Sequence, residues 1–253
     1  MYDVMKDEKK VMVILGSGLY NLYNGDISKE INVNTEYGPA RVYKLKNQAK
    51  GSTFLLLRHG KGHSVPPHLV NYRSNIMAAK KLGIDYIIAT SAVGSMNPKM
   101  KVGSYVVIDQ FIDFTKSRPF TFFNEIGHVQ HTDVSYPYSE EVRKALISAL
   151  KETKTKKFAE AGTYVCSEGP RYETIGEIEM FKRIGADLAG MTNVPEVVLA
   201  KELSIPYATI AYVTNMCAGM QSELNHEEVV KIGESLLPQA KKILNRAISI
   251  LLA

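Results

Sequence analysis

The chain is short of cysteine, long apolar runs and clustered positive charge, and each shortage removes a class of protein. Its two cysteines, Cys166 and Cys217, are too few for a disulfide framework or a thiolate zinc site, so a reducing, cytoplasmic setting with both thiols as small buried residues is expected. No segment approaches the ~20 apolar residues of a membrane helix, and the opening MYDVMKDEKK is no signal peptide. Lysine and arginine number 31 against 26 acids, a formal +5. That surplus would attract an anionic substrate, but it is not gathered into the basic stripe of a nucleic-acid binder. The basic run 151–157 reads as a solvated loop. Two glycine signatures are also missing. The first apolar run, 11–15, ends in Gly16, Ser17, Gly18 and Leu19, yet a dinucleotide fingerprint needs a third glycine where Asn21 stands, and no Gly-Lys-Ser or Gly-Lys-Thr follows for a Walker loop.

What is present is an ordinary globular composition, 45% apolar and 23% charged. One domain over 1–253 is expected. Apolar runs at 11–15, 53–57, 84–90, 102–112, 162–165 and 207–214 read as strands, the fourth as one long strand. Helical patterns alternate with them. One follows Pro66 and Pro67 with Leu69, Tyr72, Ile76 and Ala79 on one side and Gly83 at its end. Another follows Ser139. A third starts at Thr174, where Glu177 completes a capping box, carries Ile175, Ile178 and Phe181 as its apolar side, and stops at Gly185. Asn193 with Pro195 predicts a fourth start, and Asn225 with Glu228 a fifth, kinked at Pro238. The alternation predicts an α/β domain with a mostly parallel sheet, whose ligands bind at the carboxyl ends of strands.

Several strand ends carry suitable chemistry. Small residues after 11–15 expose backbone N–H groups and the Ser17 hydroxyl, a common phosphate cradle. Arg58 and His59 come directly after 53–57; a guanidinium fork with an imidazole suits an oxyanion, although a strand-end ion pair is the plainer reading. Stretch 167–193 presents Arg171, Tyr172 and Glu173 at a Gly-Pro turn and returns to Met191 and Thr192.

Seven blocks together resemble the trimeric purine nucleoside phosphorylases and methylthioadenosine phosphorylases. They are LGSGL at 15–19, RHGKGHSVPPHLVNYRSNI at 58–76, IDQFID at 108–113, GPRYET at 169–174, GADLAGMTNVPEVVLAKE at 185–202, VTN at 213–215 and NHEEV at 225–229. The resemblance implies a three-layer α/β sandwich around a mixed, partly barrel-like sheet, and a pentosyltransferase of purine salvage. Such an enzyme carries out reversible phosphorolysis of 6-oxopurine ribonucleosides, inosine and guanosine, to free base and ribose 1-phosphate. No cofactor or metal is implied, inorganic phosphate being a co-substrate, and the partner expected is a second and third copy of the chain, with a hexamer as a further option. Matched residue by residue, Ser17, Arg58, His59, Ser91, the backbone N–H of Ala92, and Thr192 look like phosphate ligands. Met191 looks like the sugar contact and Tyr172 the stacking ring; Glu173 and Asn215 would read the purine edge. His226 is similar to the histidine that holds the ribose 5′-hydroxyl, and His128 lies where the methylthioadenosine branch lends a histidine to a neighbouring subunit.

The chemistry agrees with this placement. Glycosidic cleavage builds positive charge on the sugar and negative charge on the base, so an anion beside the sugar and polar groups at the ring favour the transition state. An amide can donate to a 6-oxo group and accept from a protonated N7, while a carboxylate accepts from N1–H. The resembled 6-amino branch carries TDYD where this chain has TNMC, which favours 6-oxopurines. Features of 58–76 and 194–202 lean toward the methylthioadenosine branch, leaving 5′-methylthioinosine or 5′-methylthioadenosine as the alternative. Two other classes compete. A strand followed by Arg-His-Gly also opens the histidine phosphatases, but there the motif follows the first strand and is usually trailed by Glu or Gln, not Lys61. A nucleoside sensor without activity would keep the pocket and release no base.

Overall fold

The computed structural model describes residues 8–46, 51–221 and 226–253, with the backbone alone at 226 and 228. The apolar run after Lys9 becomes β1 (Lys10–Leu15), whose Val11, Met12, Val13, Ile14 and Leu15 are all fully buried. It pairs in parallel with β4 (Ser52–Leu57) on one side and β5 (Tyr86–Ser95) on the other. A strand flanked by strands and covered on both faces must be apolar throughout, which is why these runs lack alternation. Beyond β4 an antiparallel hairpin, β2 (Ile27–Thr35) and β3 (Gly38–Leu45), forms the edge. It had no counterpart in the sequence reading, because β2 is polar and mostly exposed and so shows no apolar face.

The expected strand 102–112 is two strands, β6 (Tyr105–Val107) and β7 (Gln110–Phe114). They part at Ile108 and Asp109 because their partners differ. β6 pairs with β11 (Tyr207–Met216) and the short β8 (Phe158–Ala159), whereas β7 pairs with β9 (Thr163–Ser167). With β10 (Leu188–Gly190) these strands make one mixed sheet among the described residues. Sheet pairing is not local, so the pattern of 102–112 does not by itself reveal a change of partner.

Helix α1 (Tyr72–Lys81) starts later than expected: Asn71 caps it by accepting from the Ser74 N–H, while Leu69 sits in a preceding 3-10 turn and is exposed. Ser139 caps α2 (Glu140–Glu152). The capping box at Thr174 and Glu177 opens α3 (Ile175–Arg183) as read, burying Ile178 and Phe181 but leaving Ile175 at the surface. At α4 (Asn193–Glu202) the reading changes, because Asn193 is not the cap. Its buried side-chain oxygen instead accepts from Thr209 at 2.6 Å and Tyr207 at 3.3 Å, tying the helix start to β11. α5 (His226–Leu251) runs through Pro238; the capping pair expected at Asn225 and Glu228 lies outside the described residues. Helices α2 and α5 pack on each other and on β11, and α1 packs on α4 and the edge hairpin. Among the described residues no helix is long and apolar enough to cross a membrane.

Candidate active site

Strand β5 determines where a cavity can form. Along one edge it pairs with β1 only through Ala89, then with β10 from Gly94 to Ser95, while β11 covers its other edge. Residues 90–93 are left without a strand on the first edge. Thr90 turns its carbonyl that way, toward Arg58, and strand alternation turns the Ala92 N–H the same way. Ser91 and Ala92, expected in a loop after the strand, are therefore inside it, at the point where its neighbours change. A cavity of about 400 Å³ opens here, within the range of small-molecule sites.

One end of the cavity is a corner where three strands meet. Arg58 N–H bonds the Leu15 carbonyl at 3.1 Å, Gly16 N–H bonds the Thr90 hydroxyl at 2.8 Å, and Arg58 Nη1 donates to the Thr90 carbonyl at 2.8 Å. Gly16, Ser17, Arg58, His59, Ser91, Ala92 and Thr192 all line this cavity. Tyr212 donates its hydroxyl to the Ser17 carbonyl and so fixes the turn after β1. Thr192 gives its N–H to the Tyr164 hydroxyl at 3.1 Å, while its own hydroxyl makes no cap bond. Hydroxyls, backbone N–H groups and a guanidinium converging on one hollow suit an oxyanion.

The electrostatics of the corner come from burial. Glu196 on α4, not singled out by sequence, places its carboxylate on Arg58 through two bonds, 2.8 Å from Nε and 2.7 Å from Nη2, with both side chains fully buried. Burial opposes the Arg58 charge, but the Glu196 charge and hydrogen bonds outweigh it and hold the guanidinium above its usual range. The plainer reading of Arg58 as an ion-pair partner is thus correct, and the residue reaches the cavity as well. For His59, burial followed by the Arg58 charge pushes the imidazole down to about 3. His63, a residue of the quoted block 58–76 to which the sequence assigns no role, lines the same cavity and stacks on His59 with ring centroids 4.6 Å apart; its Nδ1 is 2.8 Å from the Tyr20 hydroxyl and 3.5 Å from Ser17 Oγ. No spacing signal marks it, because its left-handed φ of +56° turns the chain back on itself.

The other end carries Tyr172, Glu173 and Asn215. Ser167 donates to a Glu173 oxygen at 2.5 Å, and buried Arg118 gathers the turn by donating to the Ser167 and Glu168 carbonyls at 3.3 and 2.7 Å. Asn215 sits at a bulge in β11; its oxygen accepts from Thr214 Oγ1 at 2.9 Å and its amide donates to the Met216 carbonyl at 3.0 Å. A carbon added to Gly94 would lie 2.9 Å from Cys217 Sγ and 3.0 Å from Asn215 Nδ2, so only glycine leaves this floor open. Met191 joins the two ends: its sulfur would lie 2.6 Å from a carbon added at Gly169, which has φ +67° in the Gly-Pro turn. Cys217 and Val229 also line the cavity; both end quoted motifs, but the sequence assigns neither a role in the site. Burial pushes both Cys217 and Cys166 up to about 12, so neither is a thiolate nucleophile at neutral pH.

Ten of the twelve expected residues therefore line one cavity: Ser17, Arg58, His59, Ser91, Ala92, Tyr172, Glu173, Met191, Thr192 and Asn215. His128 does not. Its side chain is 76% exposed on the loop before α2 and pairs with Glu125 at 3.4 Å. The His226 side chain lies outside the described residues. Among the described residues no cluster of His, Cys, Asp and Glu could hold a metal ion.

Comparison with known proteins extends these observations. A family model described as the phosphorylase superfamily matches residues 10–249. A 6-oxopurine nucleoside phosphorylase of Pyrococcus furiosus is 44% identical over 249 residues, spanning 96% of this chain and 93% of the relative. A probable S-methyl-5′-thioinosine phosphorylase of Methanocaldococcus jannaschii is 44% identical over 212 residues, 84% of this chain and 81% of the relative. Among solved structures, the methylthioadenosine phosphorylase of Schistosoma mansoni in complex with adenine superposes with a TM-score of 0.92 at 30% identity, covering 96% of this chain and 92% of that one.

Proposed function

The chain belongs to the phosphorylase superfamily, and from that premise we propose that it is a purine nucleoside phosphorylase acting reversibly on the 6-oxopurine ribonucleosides inosine and guanosine. The observation that carries this reading is the single cavity of about 400 Å³ with a donor-rich corner at one end and an aromatic, a carboxylate and an amide at the other. Phosphate occupies the corner, held by Ser17, Arg58, His59, Ser91, the Ala92 N–H and Thr192. The sugar lies across Met191 with its 5′-hydroxyl on His226. Tyr172 stacks on the purine; Glu173 accepts from N1–H, and Asn215 donates to the 6-oxo group and accepts from a protonated N7.

Rate acceleration then comes from charge placement. As the glycosidic bond stretches, the sugar becomes cationic above the phosphate and the leaving base gains electron density that the Asn215 amide stabilises. Hydrogen phosphate adds to the anomeric carbon as the bond to nitrogen breaks, giving the ribose 1-phosphate dianion, and the proton it loses balances the one the leaving base takes up at N7. No covalent enzyme intermediate, metal or cofactor takes part. Exposed Phe120, Ile126, Val129 and Tyr136, on or near the His128 loop, support assembly into a trimer in which His128 reaches a neighbouring site. The paucity of cysteine supports a cytoplasmic enzyme.

One observation favours the second reading. Val229 presents an apolar wall to the cavity from α5, a surface that would suit the methylthio group of 5′-methylthioinosine. A phosphate-dependent base-release assay across inosine, guanosine, adenosine and the two methylthio nucleosides tests both. Inosine and guanosine are expected to lead. Preference for 5′-methylthioinosine would transfer the assignment, and base release without phosphate would overturn it.

A further inference from the structure

Glu173 carries the carboxylate of the purine end, and it stands in the turn between β9 and α3, outside both elements. A glutamate in a turn has several torsions to fix, and ordering them only when a ligand arrives weakens binding. Two neighbours have the chemistry to hold it beforehand. Arg171 is close in the chain, but it donates to both oxygens of Glu177, at 2.8 and 2.6 Å, in an exposed pair. Ser167 takes the task instead: its hydroxyl donates to Glu173 Oε1 at 2.5 Å, the length of a hydroxyl bond to a carboxylate.

Ser167 is itself firmly placed. It is the last residue of β9 and pairs with Phe114 of β7, and its carbonyl accepts from buried Arg118 at 3.3 Å. Arg118 also donates to the Glu168 carbonyl at 2.7 Å, the Val194 carbonyl at 2.8 Å and the Tyr72 hydroxyl at 3.1 Å; Tyr72 in turn donates to the Pro67 carbonyl at 2.9 Å. One guanidinium thus ties the end of β9 to the start of α4 and to the Pro67 stretch of the cavity wall. Ser167 is not among the residues that line the cavity. Any effect it has on a ligand passes through Glu173.

We propose that Ser167 is a specificity-determining positioning residue: by fixing the Glu173 carboxylate, it makes the cavity prefer purine nucleosides that carry a proton at N1 over those whose N1 is bare. A carboxylate only accepts. Held still, it rewards an N1–H and repels a nitrogen lone pair; free to swing toward solvent, it would tolerate either, and discrimination would be lost from both sides. The inference rests on the reading of Glu173 as the N1–H acceptor and adds what holds that acceptor in place.

The test compares phosphate-dependent base release from inosine, which has N1–H, and purine riboside, which lacks it, alongside calorimetric binding of the free bases hypoxanthine and purine. In Ser167→Ala the inosine to purine riboside ratio of kcat/KM, and the matching ratio of base affinities, are expected to fall about tenfold, equivalent to about 1.4 kcal/mol. The phosphate KM should not move. Ser167→Thr keeps the hydroxyl and should restore the ratio, whereas Ser167→Val, of the same shape, should not. In a Glu173→Ala background Ser167→Ala should shift the ratio no further, because two residues that act through one contact are not additive. An unchanged ratio in Ser167→Ala, whether from no loss or from equal loss on both nucleosides, or a Val variant as selective as the Thr variant, would overturn the role of Ser167 alone. A Glu173→Ala variant as selective as the wild type would overturn the N1–H reading of Glu173 and the role of Ser167 with it.

Discussion

Arg58 and Glu196 form a two-pronged ion pair in which neither side chain touches solvent. A guanidinium has five N–H donors. Two go to Glu196 and one to the Thr90 carbonyl. Glu196 in turn accepts from Tyr207 at 2.7 Å. The pair neutralises a buried charge beside the cavity that Arg58 lines.

Truncation of Arg58 should expose this dual role. In Arg58→Ala the Glu196 carboxylate stays buried without its partner, and a stability loss of about 3–5 kcal/mol is expected in urea unfolding. The phosphate KM should rise far more than the nucleoside KM. The double variant Arg58→Met/Glu196→Leu should recover much of the stability and none of the activity, because a well-packed apolar pair can replace a buried ion pair. Equal effects on both KM values would move Arg58 out of the anion corner.

Asn215→Asp tests the purine end. The present amide receives the Thr214 hydroxyl on its oxygen and offers its nitrogen to the Met216 carbonyl. A carboxylate there can accept from a 6-amino group but cannot donate to a 6-oxo group. The kcat/KM ratio of inosine to adenosine should fall by roughly ten- to a hundredfold, corresponding to about 1–3 kcal/mol of differential binding. An unchanged ratio would remove Asn215 from base recognition.

How legible each feature was depended on how local its cause is. The Thr174 capping box is a contact three residues apart, and both of its bonds form as read. Buried runs such as 11–15 need no knowledge of their partners. By contrast, the break at Ile108 and Asp109 follows from which strands lie alongside, and the open edge at Ser91 and Ala92 from where β1 ends. Asn193 looked like a cap because the local pattern cannot show Thr209 waiting across the fold. Glu196 was invisible as a functional residue for a similar reason. An acid in the first turn of a helix is ordinary, and its partner lies 138 positions away. His63 stood in a quoted block, but its role depends on a backbone turn and on Tyr20.

Space behind the corner is equally constrained. A carbon added at Gly16 would lie 2.8 Å from the Thr90 carbonyl oxygen and 3.0 Å from Arg58 Nη1. The first contact is with backbone in a central strand, which cannot yield cheaply. Gly16→Ala should cost about 1–3 kcal/mol of stability and displace the guanidinium, raising the phosphate KM while leaving the inosine KM within about threefold. A fully stable variant with an unchanged phosphate KM would show that the corner adapts and that glycine is not needed there.

The depressed His59 imidazole makes acid stability a direct readout of the corner. Its folded value is about 3 against an ordinary 6.5, so between those limits the unfolded chain binds a proton that the folded chain does not. Stability contributed by His59 is therefore whole above pH 6.5 and declines as pH falls toward 3, by up to roughly 4–5 kcal/mol in all. Near pH 5 the slope from this residue is close to one proton, about 1.4 kcal/mol per pH unit. Urea unfolding of the wild type and His59→Gln from pH 4 to 8 should show the variant losing that share of the slope, since glutamine does not titrate. Parallel curves for the two proteins would mean that the ring takes up its proton in the folded state, and the neutral imidazole in this corner would have to be abandoned.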